Sequence, residues 1–401
     1  MRPIKKLIQL DEALRLVKER SRPIGRTEEI PIGGSTGRVA AQDVVSRISV
    51  PPFARAAMDG YAVRAKDTYG VTRTNPATMT ILEKIYAGTV AKRALRKGQS
   101  SEIATGAMLP EGADAVVMVE DTELEKNRVV VNTPVHPGQN VSRKGEDMAP
   151  GTIILSKGEV LNPSKIGALA AVGDETVTVY AKPIVGVIPT GNEVAPLGTK
   201  LGPGQVYDIN SYTLATVVES NGGIAKKLSI VDDNMKALTA AVKESTECDM
   251  LVFSGGSSVG ERDIMLDLLE KEGEVIFHGI AVKPGKPTLF GLIGKQLVFG
   301  MPGYPTACLS NAYIMLRPVL RRMARLPENP PASVNARMSK RFVSTTGRTQ
   351  FLTVRLVNGI AHPAFKESGA ITSMAFADGY VVIPADVDLL EKDEEVVVYL
   401  L

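Results

Sequence analysis

The spacing of hydrophobic and polar positions divides the chain into regions of different structure. Residues 9–20 place apolar side chains on one helical stripe with charged side chains opposite, which predicts an amphipathic helix that packs against another surface. From about residue 27 to 180, short apolar runs are separated by Gly and Pro. That pattern predicts β-rich structure, built as more than one small unit.

From residue 183 the pattern changes to longer elements that alternate in type. An apolar run, "PIVGVIPTGNE", is followed by the helix "SYTLATVVESNGG", the strand "AKKLSIVDD", the helix "NMKALTAAVKEST", the strand "DMLVFSGG" and the helix "RDIMLDLLEKEG". "EVIFHGIAV", "QLVFGMPG" and the helix "TACLSNAYIMLRPVLRRMARL" complete a domain that ends near residue 326. The alternation predicts a parallel sheet covered by helices. After the linker "PENPPAS", residues 333–401 have the pattern of strands.

Composition narrows the class of protein. A chain of 401 residues is expected to form two to four domains. Lys plus Arg (47) nearly balances Asp plus Glu (44), so nonspecific binding to nucleic acid or membrane has no evident source. The chain has only two cysteines, Cys248 and Cys308, and three scattered histidines, which argues against a disulfide framework and against a zinc site. With no signal-peptide pattern at the N-terminus, a soluble, cytoplasmic protein is expected.

Five loops of the α/β region contain the residues that could carry chemistry. They are "PTGNE", "VDDN", "SGGSSVGERD", "KPGKP" and "MPGYPTA", and loops that follow strands of an open α/β sheet converge at its carboxyl edge. Glycines allow backbone to approach an anion, and two lysines add charge. These loops supply Lys283, Lys286, Glu193, Asp232, Asp233 and Asp263. Phosphate together with a hard divalent cation is the ligand chemistry that this set indicates.

Each of these loops taken singly is more typical of a structural turn or a helix cap. Their coincidence favours function, because four crowded carboxylates repel one another unless a cation or basic groups offset them. The spacing matches neither a P-loop, nor a Rossmann fingerprint, nor a nucleophile elbow. In the β-rich half, Asp59 lies in an Asp-Gly turn and Thr105 in another glycine turn. Both turns, like Ser373 near the C-terminus, are unremarkable alone.

With the motifs assembled, the sequence resembles the molybdopterin molybdenumtransferase family, called MoeA in bacteria and represented in animals by the E domain of gephyrin. The resemblance spans nearly the whole chain, and its motifs occur in family order. They are "PPFARAAMDGYAV", "EIATGAMLPEGADAVVMVED", "RKGEDMAPGTIIL", "VGVIPTGNEV", "YDINSYTLATVVESNGG", "VDDN", "SGGSSVGERD", "GIAVKPGKPTLFG" and "FGMPGYPTA".

The resemblance implies a multidomain α/β plus β protein. It has a central, mostly parallel α/β domain of the molybdopterin-binding type, β-rich N-terminal domains and a C-terminal β-barrel. On this chain the expected domains are a β-rich linker domain (27–48 and 141–180), a β-rich domain carrying Asp59 and Thr105 (49–140), the α/β domain (1–26 and 181–326) and the barrel (327–401).

The resemblance also implies the last step of molybdenum cofactor synthesis. In that step adenylylated molybdopterin is hydrolysed with Mg²⁺ as cofactor, AMP leaves, and molybdate or tungstate is inserted into the pterin dithiolene. The dithiolene supplies the sulfur, so no protein cysteine is required. The implied assembly is a homodimer whose cleft lies between the central domain of one subunit and the Asp59-bearing domain of the other. Molybdopterin adenylyltransferase and acceptor enzymes are further possible partners.

Functional residues are carried over motif by motif. The resemblance implies that Asp59, Glu193, Asp232 and Asp263 are catalytic and that Glu193, Asp232 and Asp263 hold the metal. The implied substrate-binding residues are Thr105, Gly255, Gly256, Ser257, Lys283, Lys286, Pro302, Pro305 and Ser373. One position departs from the family pattern, because many relatives have Asn where this chain has Tyr304.

Two other functions compete with the transferase. A molybdopterin adenylyltransferase shares the α/β domain and a Gly-Gly loop, but it lacks the β-rich halves and the "MDGYA" motif. A scaffold that binds pterin or a partner without turnover belongs to another class. The chain has all four carboxylates that the resemblance makes catalytic, Asp59, Glu193, Asp232 and Asp263. Their presence favours catalysis, because a scaffold has no need to bear the mutual repulsion of clustered carboxylates. The transferase is therefore the predicted function.

Overall fold

The structure is a computed structural model that describes residues 7–255 and 263–401. The chain divides into two compact units, Met1–Glu28 with Tyr180–Leu401, and Glu29–Val179. The predicted N-terminal amphipathic helix is present as α1 (Leu10–Arg20). Its buried Ala13 and Val17 join the core of the first-named unit, which explains why the two ends of the chain sequence are grouped together.

The Glu29–Val179 unit is β-rich, as the short apolar runs predicted. Its main sheet has six strands in the order β7-β4-β6-β5-β9-β8. One core packs on this sheet around Val117 and Val129, and a separate core around Leu155 and Leu169 includes the only long helix of the unit's described residues, α2 (Pro163–Ala171). The strands are β1 (Thr27–Pro31), β2 (Val44–Val45), β3 (Arg55–Ala56), β4 (Gly60–Val63), β5 (Ala77–Ile85), β6 (Gln99–Ile103), β7 (Ala115–Met118), β8 (Thr122–Glu125), β9 (Arg128–Val131), β10 (Val141–Ser142), β11 (Ile153–Leu155) and β12 (Thr176–Tyr180).

The other unit contains the predicted α/β sheet. Its six strands have the order β16-β13-β17-β21-β20-β18. The first four are parallel, β20 is antiparallel to both of its neighbours, and β18 therefore runs in the same direction as the first four. The strands are β13 (Ile184–Pro189), β16 (Ile224–Lys227), β17 (Met250–Ser254), β18 (Glu274–His278), β20 (Leu289–Ile293) and β21 (Gln296–Met301), with a short parallel pair β14 (Val194–Ala195) and β15 (Val206–Tyr207) beside them. The mostly parallel sheet is thereby confirmed.

Helices cover both faces of this sheet because its buried strands are apolar on both sides. Along β17, Met250 and Val252 enter one core, whereas Leu251 and Phe253 enter the other. The helices are α3 (Asn210–Ser220), α4 (Met235–Glu244), α5 (Ile264–Glu272), α6 (Pro305–Asn311) and α7 (Arg317–Met323). The residues of α1, α3, α6 and α7 pack on the first face, and those of α4 and α5 on the second.

The helix predicted over residues 306–326 is interrupted by a π-helical turn, Ala312–Leu316. Pro318 follows it and lacks the N–H that would bond to the carbonyl four residues earlier. A wider turn before a proline accommodates that loss.

The C-terminal residues form the expected barrel. Each strand in the spatial order β24-β25-β22-β28-β26 pairs with the next, and β26 also pairs with β24, which closes the sheet. The strands are β19 (Val282–Lys283), β22 (Ser333–Met338), β23 (Phe342–Val343), β24 (Thr349–Val357), β25 (Ile360–Pro363), β26 (Gly379–Ile383), β27 (Leu389–Leu390) and β28 (Glu395–Leu400), with one short helix, α8 (Thr372–Ala375). Strand β19 comes from the α/β segment and pairs in parallel with β24.

The finer division of each unit into two domains stays a prediction. Within residues 7–255 and 263–401, no helix is both long enough and apolar enough to span a membrane.

Candidate functional site

The loops that follow three parallel strands are joined by backbone hydrogen bonds at the carboxyl edge of the sheet. Thr190 N–H donates to Ser254 O (3.0 Å), and Gly255 N–H donates to Met301 O (3.2 Å). Val231 N–H donates to Pro189 O at 2.9 Å, which brings the "VDDN" loop to the same place. The prediction that these loops converge on one edge is therefore confirmed, and we call this region the carboxyl edge.

Three carboxylates lie near one another there, in what we call the acidic group: Glu193, Asp232 and Asp233. Glu193 and Asp232 are exposed, whereas Asp233 is partly buried and its Oδ1 has no hydrogen-bond partner among the described residues. Burial raises the pKa of Asp233, and the charges of Glu193 and Asp232 raise it further, against a hydrogen bond from Thr190. Asp233, the second aspartate of the "VDD" motif, was counted among the loop carboxylates in the sequence but is not one of the residues that the family resemblance implies to be functional.

The carboxylate of Asp263 contacts neighbouring protein groups rather than solvent. Asp263 is 5% exposed and caps α5, because its Oδ1 accepts a hydrogen bond from Leu266 N–H at 3.1 Å. Its Oδ2 lies 2.9 Å from His278 Nε2 at the end of β18, in a contact that lacks hydrogen-bond geometry. His278 is a further residue that sequence reasoning missed, because it comes beside residue 263 only when β18 packs back along α5.

The residues that the structure describes include no group of three His, Cys, Asp or Glu side chains able to hold a metal ion. The assignment of a cation to Glu193, Asp232 and Asp263 therefore stays a prediction. Gly256 and Ser257 lie outside the described residues, as does the rest of the "GSSVGER" stretch. Gly255 is described, with φ of +104°. A Cβ at this position would lie 2.4 Å from Thr190 O, so the loop requires glycine here.

The "KPGKP" segment, Lys283–Pro287, is called the lysine loop below. It reaches the carboxyl edge because β20, which follows it, begins there: Leu289 is paired with Gly300 near the end of β21. Lys283 Nζ donates to Thr345 Oγ1 at 2.6 Å, and Lys286 O accepts hydrogen bonds from Ile280 and Thr288 N–H, both at 3.0 Å.

A buried amide fixes the turn of the lysine loop. Asn311 Nδ2 donates to Gly285 O at 2.9 Å and to Thr288 Oγ1 at 2.6 Å. Asn311 is fully buried on α6 and was not predicted from the sequence, since nothing local distinguishes it from a core-facing helix residue.

The "MPGYPTA" loop connects the sheet with the barrel. Pro302 is buried, and Pro305 is the first residue of α6. Thr306 N–H donates to Ser368 O (3.0 Å), and its hydroxyl donates to Ala370 O (2.8 Å). Ser373 is fully buried, and its Oγ accepts a hydrogen bond from Lys366 N–H at 3.0 Å. In the structure Ser373 therefore braces the 366–373 segment that contacts this loop.

Asp59 and Thr105 meet in the Glu29–Val179 unit. The turns that carry them flank neighbouring strands, since Gly60 of β4 pairs with Ile103 of β6. Asp59 Oδ1 accepts hydrogen bonds from Thr105 N–H (2.7 Å) and Thr105 Oγ1 (2.9 Å). These donors, the backbone N–H first, lower the pKa of Asp59. The exposed side chain is thus an ionised carboxylate held in a fixed position.

Comparison with known proteins identifies the family. Residues 8–173 match the "MoeA N-terminal region (domain I and II)", residues 186–322 match a "probable molybdopterin binding domain", and residues 335–401 match the "MoeA C-terminal region (domain IV)".

Individual relatives agree along nearly the full length. A molybdopterin molybdenumtransferase of Bacillus subtilis is 33% identical over 407 residues, covering 98% of this chain and 94% of the relative. One of Nostoc sp. is 33% identical over 384 residues, covering 93% and 88%. The crystal structure of a molybdopterin biosynthesis MoeA protein from Pyrococcus horikosii superimposes with a TM-score of 0.85 at 40% identity, covering 98% of this chain and 99% of that one. On these grounds the chain belongs to the MoeA family.

Proposed function

We propose that this protein is a molybdopterin molybdenumtransferase that catalyses the last step of molybdenum cofactor synthesis. Its substrates are adenylylated molybdopterin and molybdate or tungstate, and its products are the metal-containing cofactor and AMP. The observation that carries the proposal is the carboxyl edge, where an acidic group, a glycine turn and the lysine loop converge in a chain of the MoeA family. Relatives named for this activity align over most of the chain.

For a hard divalent cation such as Mg²⁺, the acidic group offers suitable donors, but its three side chains do not form a ready set of ligands among the described residues. Its donors are carboxylate oxygens, which Mg²⁺ prefers, and Asp233 Oδ1 is buried without a hydrogen-bond partner among the described residues. Glu193, Asp232 and Asp263 are the carboxylates that the resemblance implies for the ion, and Asp233 would be a further one. A bound Mg²⁺ supplies a charge that neutralises phosphate oxygens. The raised pKa of Asp233 fits this role, because a bound cation would favour the ionised carboxylate against the burial and the neighbouring charges that raise the pKa.

The other predicted site residues have separate roles in the proposal. Lys283 and Lys286 bind phosphate oxygens, and the Gly255 turn lets backbone N–H groups approach them. Pro302 and Pro305 fix the backbone of the loop that borders the ligand, and Ser373 fixes the segment behind it. Asp59, kept ionised by Thr105, is a catalytic carboxylate that can accept a proton or orient water.

The test is incubation of the purified protein with adenylylated molybdopterin, Mg²⁺ and either molybdate or tungstate. AMP release and metal retained on the pterin are measured together. AMP release that depends on added oxyanion supports the transferase and identifies the preferred metal. Removal of Mg²⁺ with EDTA should stop the release, and Asp59→Asn should slow it while leaving AMP binding intact. Tight pterin binding with no AMP release would instead indicate the scaffold function.

We further propose that the protein acts as a homodimer in the cytoplasm. Cys248 and Cys308 are both buried free thiols, as expected for a reducing compartment. Molybdopterin adenylyltransferase as the source of substrate and acceptor enzymes for the product are the proposed protein partners. Molar mass measured by light scattering tests the homodimer directly, and a mass that stays at one chain across the micromolar range would contradict it.

A further inference from the structure

An exposed aromatic ring stands at the carboxyl edge. Tyr304 follows Pro302 and Gly303 after the end of β21, and 66% of its surface is exposed. It occupies the N-cap position of α6, but its side chain makes no capping hydrogen bond. Aromatic side chains are common among the residues that line ligand sites.

The backbone that carries the ring is rigid. Pro305 restricts Tyr304 to an extended conformation, which it has (φ −70°, ψ 127°). Gly303 O accepts a hydrogen bond from the buried Asn210 Nδ2 at 2.9 Å, and Thr306 is bonded to Ser368 and Ala370. The ring can therefore bind a ligand with little loss of conformational freedom, since a tyrosine side chain has only two rotatable angles to fix.

The surface next to the ring consists of glycines. Among the described residues, the one atom that a Cβ on Gly303 would meet within 4 Å is Gly255 Cα, at 3.6 Å. A Cβ on Gly369 would lie 3.6 Å from Tyr304 Cδ1. Without side chains at these three positions, the described residues leave a low, open surface beside the tyrosine. A flat ligand can lie on such a surface, whereas a branched side chain on Gly303 would occupy it.

We propose that Tyr304 stacks against a flat nitrogen heterocycle of the substrate, over the surface formed by Gly255 and Gly303. The proposal rests on the proposed function, because that substrate contains two such rings, the adenine and the pterin. It adds Tyr304 to that function as a residue that determines specificity for the ring.

The expected size of the effect follows from known stacking energies. Removing an aromatic partner from a base costs about 1–3 kcal/mol, which corresponds to about 5- to 150-fold weaker binding. Tyr304→Phe keeps the ring and should bind within about twofold of the wild type. Tyr304→Leu keeps a large apolar side chain without a π face, so it separates stacking from simple apolar contact.

Binding is measured by calorimetry with AMP and with ribose 5-phosphate, which lacks the ring, and by fluorescence with a free pterin. Tyr69→Leu is the matched control, because Tyr69 is 62% exposed and lies in the other unit. Thermal unfolding of each variant establishes that it is folded. Gly303→Val provides an independent variant that leaves Tyr304 in place and should weaken ring binding by occupying the open surface.

The ligand whose affinity falls identifies the ring. Weaker AMP binding by Tyr304→Leu and Gly303→Val, with ribose 5-phosphate unchanged, supports stacking on adenine; weaker pterin binding alone supports stacking on the pterin. Unchanged affinity of Tyr304→Leu for both rings would overturn the inference while leaving the transferase intact, provided that wild-type protein releases AMP. A wild-type protein that neither binds these rings nor releases AMP would instead overturn the proposed function.

Discussion

Replacement of Asn311 by alanine tests how the lysine loop is held. The Asn311 side chain is completely buried, and its amide donates to Gly285 O and Thr288 Oγ1 at 2.9 and 2.6 Å. The Thr288 hydroxyl itself donates to Gly285 O at 2.9 Å. After the substitution, Gly285 O therefore keeps one donor, and the loss consists of two hydrogen bonds and the packing of the amide.

These losses can be converted into a stability change. Each hydrogen bond contributes about 1 kcal/mol net, and the small cavity left by the amide adds about 1 kcal/mol. Asn311→Ala should therefore lower the free energy of unfolding by about 2–4 kcal/mol. For a unit of this size, that corresponds to a fall in the unfolding temperature of roughly 4–16 °C. Because the loop carries Lys283 and Lys286, phosphate affinity should fall as well.

The matched control is Asn210→Ala. Asn210 is also a buried amide at the carboxyl edge, but its Nδ2 makes a single hydrogen bond, to Gly303 O at 2.9 Å. Its replacement should cost about half as much in stability and should leave the affinity for inorganic phosphate at the lysine loop unchanged. The assay is thermal unfolding followed by calorimetry, with each transition assigned separately because the chain has two units.

A double-mutant cycle that combines Asn311→Ala with Gly285→Ala tests the contact between these two residues directly. Gly285 has φ of +105°, and a Cβ there would lie 2.3 Å from Asn311 Nδ2. In the Asn311→Ala background that clash is absent, although the backbone strain remains. The double variant should therefore be more stable than the sum of the single changes, by about 1 kcal/mol or more. Additivity within about 0.5 kcal/mol, or an Asn311→Ala loss no larger than that of Asn210→Ala, would refute the contact.

Three further predictions concern the ionised groups. Thr105→Val removes one donor but keeps the backbone N–H, so the pKa of Asp59 should rise only part of the way to its usual value in an NMR titration. Burial raises the pKa of Asp233, so its ionised form costs stability at neutral pH, and that cost fades as the pH falls through the folded-state pKa. Asp233→Asn should therefore unfold at a higher temperature than the wild type at neutral pH, differ less from it as the pH is lowered, and lose any stabilisation by Mg²⁺. His278→Phe leaves the buried Asp263 carboxylate beside an apolar ring and should destabilise the protein by about 2 kcal/mol. A second change, Asp263→Asn, should recover most of that loss in thermal unfolding, because a neutral amide costs less than a carboxylate to bury there.

The regular elements of the α/β region could be predicted from the sequence because their signals are local. Helices such as α4 and α5 combine apolar periodicity with an Asn or Asp cap, and both caps bond as expected at Ala237 and Leu266. The convergence of several loops at one edge of the sheet could be predicted from the alternation of strands and helices alone, since parallel strands end on the same side.

The pairing of strands that are distant in the chain could not be predicted from the sequence in the same way. The run "EVIFHGIAV" is divided between two sheets: β18 joins the α/β sheet, whereas β19 pairs with Thr349–Gln350 in the barrel. Gly279, with φ of +97°, lies between them. The partners of Asp263 and of the lysine loop, His278 and Asn311, are likewise brought in by strand pairing and helix packing rather than by sequence proximity.

The two ends of the lysine loop show why the C-terminal barrel must be regarded as part of the site. At its start, Val282–Lys283 pair in parallel with Thr349–Gln350 of the barrel, and Lys283 Nζ donates to Thr345. Past its end, Leu289 pairs with Gly300 of the α/β sheet. A short loop fixed at both ends by different sheets has few conformations left to lose when it binds an anion. The barrel thereby orders the lysines through backbone hydrogen bonds, and a change in its packing that shifted β24 would move the lysines with it.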